Sequence, residues 1–507
     1  MRTRFSFTLG AAVLAFAALG FTTGASAQTH LRIGLAEDPD LLDPHQARTF
    51  VGRLVFTALC DKLVDIDASL KIIPRLATEW KFGEDGKSIT MKLRQGVTFH
   101  DGEKFDAAAA KFNLERALTL PESRRKSEVA AIATIDVVDD YTIKLNLKTP
   151  SSPLLSQLTD RAGMMVSPKA AKEMGAGLAS KPVCSGPFKF VERVQNDRIA
   201  LERFPNYWNK DKVHFDKVTF TPIPDATVRL ANLQSGQLDL IERLLPTDIA
   251  AVKADKRLVL NPVVGLGYAS FSINVGQTER AKTPLGQDKR VREAVELAID
   301  RNILNQVVFN GEFTPGNQPV APGNTFYAKT RPVPKRDVAK AKELLKAAGV
   351  ANLAFEMNVP NDTQQQQVAQ VIQGMLAEAG ITIKIVSMEF ATVLQNQTKR
   401  NYQASLVGWS GRPDPDGNMH IFLKHKAPLN ETDYDNPEVG KLLDAARETY
   451  DVAKRQGLYT KAAELYLADR PIVYLYHQKW LFVHSAKLAG FTPLPDAMIR
   501  LEGVKLQ

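Results

Sequence analysis

Cysteine is scarce in this sequence, which contains only Cys60 and Cys184 among its 507 residues. Two cysteines are too few for a zinc cluster or a disulfide-dense scaffold. In an exported chain they can form one disulfide, and otherwise they pack as two small buried thiols. The sequence leaves both alternatives open.

Long hydrophobic runs are also missing after the N-terminal segment, so the sequence predicts no transmembrane helix there. The formal charge is +9, and it falls to +7 without Arg2 and Arg4. Lys and Arg are interspersed with Asp and Glu, and no basic run alternates with aromatic residues. We therefore expect a solvated, mildly basic surface and no nucleic-acid partner.

Recognisable catalytic motifs are absent as well. The sequence has no Gly-x-Ser-x-Gly elbow, no HExxH helix and no Cys/His arrangement, which disfavours a secreted hydrolase. His420 and His425 are five positions apart and the other histidines are scattered, which is poor support for a metal-ligand set. We predict no catalytic residue, no metal and no cofactor. An envelope chaperone or scaffold stays as an alternative, because an exposed apolar surface cannot be read from a sequence.

The first 27 residues have the layout of a secretory signal peptide. Arg2 and Arg4 precede a short apolar run at residues 9–21, and Ala25-Ser26-Ala27 provides small residues for cleavage. The apolar run is too short to span a membrane comfortably. No cysteine lies near the cleavage point, so we expect a mature protein free in the periplasm rather than anchored through a lipid.

The rest of the chain alternates strand and helix patterns, which indicates an α/β fold of 507 residues with two or three cores. The clearest unit is a predicted strand at 354–359, a helix at 363–379 ended by Gly380, and a strand at 381–386. This order is typical of a parallel α/β unit. We expect at least one mixed sheet in each half.

Several distinctive motifs follow one another along the chain. They are PRLA at 74–77, Trp80, LRQGVTFHDG at 93–102, SGPF at 185–188, NYW at 206–208, IPDAT at 223–227 with LQSG at 233–236, DKRVREA at 288–294, AIDR at 298–301 and YDNPEV at 434–439. In this order they closely resemble the motifs of family 5 solute-binding proteins, the dipeptide/oligopeptide/nickel receptors of ABC importers. The resemblance covers essentially the whole chain from about residue 31.

The resemblance implies an α/β, two-lobed periplasmic-binding-protein fold of the cluster C type, with mixed sheets, a two-strand hinge and an extra subdomain in lobe I. His100 and Asp101 belong to a motif that this resemblance places in the extra subdomain, and the following Gly102 suits a turn, so we interpret them as structural. The expected boundaries are a signal peptide at 1–27, lobe I at 28–270 plus 480–507, the extra subdomain at about 46–170, lobe II at 271–479, and hinge strands at 268–275 and 473–476.

The loop at residues 408–418 is the richest candidate for ligand contacts, because it follows a predicted strand at 404–407. Peptide-binding relatives place an Asp three residues after the matching Trp, here Trp409, to pair with the ligand's ammonium group. This chain has Arg412 there and Asp414 two residues later. Either Asp414 binds an ammonium group, or Arg412 binds an anionic group of the ligand. The structural alternative is that Arg412 pairs with Asp414 or Asp416.

Five more residues are ligand-binding candidates by their positions in the family pattern. Each of the hinge-strand residues also has a structural interpretation, such as core packing for Tyr268, a turn cap for Asn274 and a satisfied buried ring for His477. The five candidates are Glu37, Tyr268, Asn274, Tyr476 and His477.

Together these features predict a monomeric, non-enzymatic receptor that captures a small polar solute between two lobes and delivers it to an inner-membrane ABC permease. The family implies a short peptide as the first ligand class. Arg412 keeps an anionic opine-like or sugar-acid conjugate as the alternative.

Overall fold

The computed structural model describes Thr3 and residues 28–507. The predicted signal peptide, apart from Thr3, lies outside the described residues. In the described part of the chain, no helix combines the length and apolar character needed to cross a membrane.

Strands and helices alternate along the chain. The strands are β1 (His30–Leu35), β2 (Val64–Ile66), β3 (Ile72–Pro74), β4 (Ala77–Phe82), β5 (Ser88–Leu93), β6 (Ile132–Asp139), β7 (Thr142–Leu147), β8 (Phe188–Val194), β9 (Arg198–Arg203), β10 (Lys217–Pro222), β11 (Leu240–Ile241), β12 (Leu258–Val264), β13 (Ala269–Ile273), β14 (Thr314–Pro315), β15 (Leu353–Pro360), β16 (Ile381–Met388), β17 (Ala404–Leu406), β18 (Ile472–His477), β19 (Lys479–Ser485), β20 (Leu488–Ala489) and β21 (Lys505–Leu506).

The helices are α1 (Phe50–Leu59), α2 (Ala107–Thr119), α3 (Leu154–Gln157), α4 (Pro168–Met174), α5 (Ala226–Gln234), α6 (Ile249–Ala254), α7 (Pro284–Gln287), α8 (Lys289–Leu297), α9 (Arg301–Phe309), α10 (Val338–Ala347), α11 (Thr363–Ala377), α12 (Phe390–Thr398), α13 (Asp416–Leu423), α14 (Pro437–Glu448) and α15 (Val452–Asp469).

The first large sheet is mixed and has the strand order β12-β19-β11-β1-β10-β9-β8. Strand β1 lies inside it and pairs in parallel with both β10 and β11. Its apolar residues Leu31, Ile33 and Leu35 have no exposed surface, so the strand is central to a core. We call the part of the molecule built on this sheet lobe I.

The second large sheet has the order β14-β18-β13-β17-β15-β16, and the part built on it is called lobe II. Here β15, α11 and β16 form the predicted parallel unit, because β15 and β16 pair in parallel over their full length. Asp362 caps the start of α11 by accepting a hydrogen bond from the backbone N–H of Gln365. Gly380 adopts a φ of 78°, a conformation that favours glycine, before β16 begins.

The chain passes between the two sheets at adjacent places. Strand β12 of lobe I is followed by β13 of lobe II, and β18 of lobe II is followed by β19 of lobe I. The connecting segments touch, since the backbone N–H of Gly265 donates to the carbonyl oxygen of Gln478 at 3.1 Å. Beyond this crossing, β13 and β18 pair antiparallel. Residues 265–268 and Gln478 therefore form a narrow double connection.

A four-stranded antiparallel sheet, in the order β4-β5-β7-β6, packs with α2 around its own core and forms the extra subdomain. Cys60 lies just after α1, where the chain leaves the first sheet, and Cys184 lies just before β8, where it returns. A disulfide joins them. The bond ties together the two passages of chain that support the subdomain.

Candidate functional site

A cleft between lobe I and lobe II contains two adjoining chambers with cavity volumes of about 80 and 70 Å³. Arg125 and Arg161 line the first, which we call the arginine chamber. Glu37, Arg243 and Asp362 line the second, which we call the Glu37 chamber. The two chambers share a wall made by Phe50, Tyr268, Phe390, Val407, Gly408, Trp409 and Ser410.

Trp409 is held in this shared wall by backbone and side-chain hydrogen bonds. Its backbone exchanges two hydrogen bonds with Tyr268, at 2.7 and 2.9 Å, which extends the pairing of β13 with β17. Its indole N–H donates to the carbonyl oxygen of Gly417 and to Oδ1 of Asn418, both at 3.0 Å. The ring is therefore fixed between the chambers before any solute arrives.

Arg412 does not line either chamber, contrary to the expectation that it faces the solute. Its Nε lies 3.0 Å from Oδ2 of Asp160, a residue of lobe I, and its guanidinium stacks over Trp409 at 4.3 Å. The structural alternative named Asp414 or Asp416 as the partner, and both are paired elsewhere: Asp414 with Arg455 and Asp416 with Arg447. A guanidinium that is 5% exposed needs a counter-ion, and the carboxylate across the lobe boundary provides it.

Asp414 is also turned away from the cleft. Its carboxylate receives two hydrogen bonds from Arg455 of α15, at 2.7 and 3.1 Å. This bidentate pair uses both oxygens of Asp414 within lobe II. The residue therefore stabilises the loop and is absent from both chamber walls.

Glu37 and Tyr268 lie where the sequence places them, in the cleft. Glu37 lines its chamber and accepts two hydrogen bonds from Arg243, at 2.9 and 3.0 Å. Asp362 lies in the same chamber, and burial raises its pKa to about 6, although Arg243 opposes the shift. This second carboxylate was missed in the sequence, where its position before α11 indicates only a helix cap.

The three remaining candidates are structural parts of the hinge strands. The side-chain amide of Asn274 donates to the carbonyl oxygens of Arg400 and Tyr402 at 3.0 and 3.1 Å. Tyr476 packs on Phe309 with ring centroids 4.6 Å apart. His477 bonds through Nδ1 to a backbone carbonyl at 2.8 Å, and burial lowers its pKa to about 4, so the ring is neutral at pH 7. None of the three lines a chamber in the described structure, because their side chains are used inside lobe II.

His100 and Asp101 are structural in the way their turn predicts. The ring of His100 lies between the backbone N–H of Cys184 and the carbonyl oxygen of Gly186, at 3.2 and 3.1 Å. Oδ2 of Asp101 accepts the hydroxyl hydrogen of Ser167. His420 and His425 have separate partners. His420 is bonded to Asp444, and His425 lies near Asp435.

Arg125 and Arg161 are the functional candidates that sequence reasoning missed. Both belong to the segment that the family resemblance presents as a structural subdomain, and they are 0% and 1% exposed. A signal was available for Arg161, because it stands beside Asp160 within an apolar stretch. Such neighbours are usually interpreted as an ion pair with each other. The sequence does not show that Asp160 also pairs with other arginines, Arg53 and Arg412.

The profile of the bacterial extracellular solute-binding proteins, family 5, matches residues 71–430. The glutathione-binding protein GsiB of Pectobacterium atrosepticum is 32% identical over 480 residues, covering 92% of each chain. The periplasmic binding protein DppA of Helicobacter pylori, solved with the peptide STSA, is 26% identical with a TM-score of 0.85 and covers 94% of this chain and 98% of its own. AgaA of A. tumefaciens R10, solved with agropinic acid, is 26% identical with a TM-score of 0.86, covering 94% and 99%.

These similarities extend over nearly the whole of each protein and confirm the two-lobed α/β fold that the motifs predict. They also agree with a cleft lined from both lobes. The chain belongs to family 5 of the bacterial extracellular solute-binding proteins.

Proposed function

We propose that this protein captures a short peptide in the periplasm and delivers it to an inner-membrane ABC permease, without a catalytic step, a cofactor or a metal. Glutathione is the first peptide to test, because the GsiB relatives are named for it. The proposal includes cleavage of the signal peptide after Ala27 and a monomeric mature protein free in solution. Solute binding is the activity of the family, and a short peptide as the solute is what we propose for this chain.

The lining of the two chambers carries the proposal. Glu37, Phe50, Arg125 and Arg161 come from lobe I, Phe390 and Trp409 come from lobe II, and Tyr268 belongs to the crossing between them. A solute enclosed by both sides is buried only when the lobes are together, so its contacts favour the closed form. Apolar walls with a few charged groups are also typical of small-molecule sites.

We propose that lobe I comprises 28–270 and 480–507 and that lobe II comprises 271–479, although Ala269 and Ser270 are part of strand β13 in the second sheet and Lys479 is part of strand β19 in the first. Opening then requires rotation at residues 265–268 and Gln478, beside these boundaries, where the chain crosses twice. A hinge of a few residues at element ends absorbs such a rotation without disturbing either sheet. The permease would distinguish the closed form from the open one by the relative position of the lobes.

An anionic opine-like or sugar-acid conjugate is the second candidate. The likeness to AgaA, which was solved with agropinic acid, favours it. The arginines beside the cleft suit the carboxylate of such a solute as well as that of a peptide. The two candidates differ at the nitrogen, because a peptide presents a primary ammonium group and a conjugate formed through that nitrogen does not.

Calorimetry with the refolded, solute-free mature protein tests the proposal. The panel contains glutathione, di- and tripeptides and agropinic acid, and chromatography of the recovered solute follows each titration. We expect one solute molecule bound per chain and returned unchanged. Conversion of a panel member would indicate an enzyme, and binding of agropinic acid without any peptide would replace the first candidate by the second.

A matched pair of tryptophan variants locates the binding event. Trp409→Ala removes the indole from the shared wall, whereas Trp80→Ala removes a half-buried indole in the extra subdomain. We expect the first to lose at least tenfold in affinity and the second to bind like the parent. Equal affinities in both variants would place the solute outside the cleft.

A further inference from the structure

Four buried arginines surround two buried carboxylates beside the arginine chamber. Each of these six side chains belongs to a residue at most 5% exposed. The set, which we call the arginine cluster, has a net charge of +2, because four guanidinium groups share only two carboxylates. Its members are Arg53, Arg125, Arg161, Arg412, Glu128 and Asp160.

The surrounding groups do not supply the missing negative charge. Arg116 pairs with Asp43, and Arg48 pairs with Glu431 at 2.6 Å, so each pair is neutral within itself. Burial lowers the pKa of His45 to about 4, and its ring is neutral at pH 7. The surplus therefore belongs to the cluster.

All four arginines of the cluster hold hydrogen-bond donors that the rest of the described chain leaves unused, and two of them, Arg125 and Arg161, also line the arginine chamber. Arg125 donates to Glu128 through Nη1, while its Nε and Nη2 have no partner among the described residues. Arg161 donates through Nη1 to the carbonyl oxygen of Ala47 at 2.7 Å, while its Nε has none in that same part of the chain. Both side chains line the chamber.

Unused donors on buried cations are unfavourable in a folded protein. A buried donor without an acceptor has lost its hydrogen bonds to water without replacing them, and the cost is larger when the group is charged. Consistent with this, burial and the neighbouring Arg125 hold the pKa of Arg161 well below its usual range. The carboxylate of Asp160 is shared as a counter-ion by two other members of the cluster, because its Oδ2 lies 2.7 Å from Arg53 and 3.0 Å from Arg412.

We infer that Arg125 and Arg161 form an anion subsite that binds a carboxylate of the solute through their free guanidinium N–H groups. Forked, permanently charged donors suit a carboxylate, and bidentate bonds to one are short and strong. The inference rests on the proposed function and narrows it, because the solute is then a small acidic molecule. A surplus of two charges further favours a solute with two carboxylates over one with a single carboxylate.

Affinity ratios between acids and derivatives with uncharged carboxyl positions test the inference; these derivatives keep the ammonium group and are called the neutral probes only for their carboxyl positions. The probes are glutathione and its diethyl ester, and a tripeptide and its C-terminal amide, titrated into the refolded mature protein. We expect each acid to bind at least tenfold more tightly than its derivative. Equal affinities for the acids and the neutral probes would overturn the anion subsite while leaving peptide capture intact.

Variants assign the preference to specific residues. Arg125→Gln and Arg161→Gln should abolish the acid preference without weakening the neutral probes, and Arg125→Lys should restore part of it. Arg257→Gln is the control, because it removes the same charge from a side chain that is 73% exposed and paired with Asp255. An acid preference that persists in both glutamine variants would contradict the assignment.

If no peptide binds, peptide capture fails and the subsite is tested with simpler probes. Succinate should raise the melting temperature of the parent protein and of Arg257→Gln, and succinamide should not. The two cluster variants should lose the response to succinate. The absence of a succinate response in the parent would overturn the subsite as well.

Discussion

Replacing Arg412 with glutamine separates two roles for a buried cation, contact with the solute and contact between the lobes. Arg412 belongs to the loop after β17 in lobe II, and its Nε lies 3.0 Å from Asp160 in lobe I. The ion pair exists only while the lobes are together. Because it joins protein to protein, its loss should weaken every solute, and an acid somewhat more than its ester, since Arg412 also contributes one charge to the surplus of the arginine cluster.

The size of the effect follows from two opposing terms. Removing one partner of a buried ion pair costs about 3–5 kcal/mol when the other charge is left alone, but Asp160 keeps Arg53 at 2.7 Å as a second partner. Burial lowers the pKa of Arg412 to about 10, with repulsion from Arg53 adding to the shift, so the cation is costly where it lies. We therefore expect less than that range, about 1.5 kcal/mol, which corresponds to roughly a tenfold weaker affinity.

Calorimetry with an acid and its ester gives the required comparison, and small-angle scattering reports the fraction of open molecules without solute. Arg455→Gln is the matched control, because it breaks a buried pair with Asp414 inside lobe II. The control should lower stability to unfolding but leave both affinities unchanged. If Arg412→Gln weakens only the acid, Arg412 contacts the solute and the interlobe explanation is refuted.

Three further predictions concern stability and the cleft wall. Burial raises the pKa of Asp362 to about 6, so its contribution to stability is fully present below its ordinary pKa of 3.8 and is lost as pH rises through 6. Asp362→Asn keeps the helix cap and should gain up to roughly 3 kcal/mol over the parent above pH 7 in urea titrations, with no gain at pH 4; an equal gain at both pH values would contradict this. The Cys60→Ser, Cys184→Ser double variant opens a loop with a sequence separation of 124 residues. It should lose about 4–5 kcal/mol of unfolding free energy, which a loss below about 1 kcal/mol would refute. Solute binding should change the fluorescence of the parent, and Trp409→Phe should lose most of that change, with a remainder from Trp480, which also lines the Glu37 chamber. A full response in the variant would exclude Trp409 as the reporter.

The fold is predictable from the sequence because local signals and family motifs agree. The unit β15–α11–β16 is visible in the alternation of apolar residues, and Gly380 marks the end of the helix before the second strand. The loop with Trp409 is predictable too, since it follows a strand of the sheet at the edge where α/β folds bind ligands. The partners of that loop are not predictable, because Asp160 lies in another lobe and only packing brings it to Arg412.

The anion subsite shows why position in a family pattern was a poor guide to charge. The pattern directs attention to Arg412, the residue that replaces an Asp of the peptide receptors, and that side chain already has its counter-ion. The unused donors that lie at the chamber belong instead to Arg125 and Arg161, for which no motif exists. Their significance arises from the sum of buried charges around the chamber, a quantity that depends on residues from four separate stretches of chain.

The surplus also bears on how the clamp closes. With the lobes together and no solute, the arginine cluster buries a net surplus of two positive charges, which opposes closure. A carboxylate that enters the chamber reduces this penalty and also accepts hydrogen bonds from the arginines. The acidic solute therefore stabilises the closed form in two ways. A neutral analogue fills the same space but leaves the repulsion in place. Selectivity for acids therefore follows from the cost of closing an empty cleft, and reducing the surplus through Arg125→Gln should make closure easier and less selective at the same time.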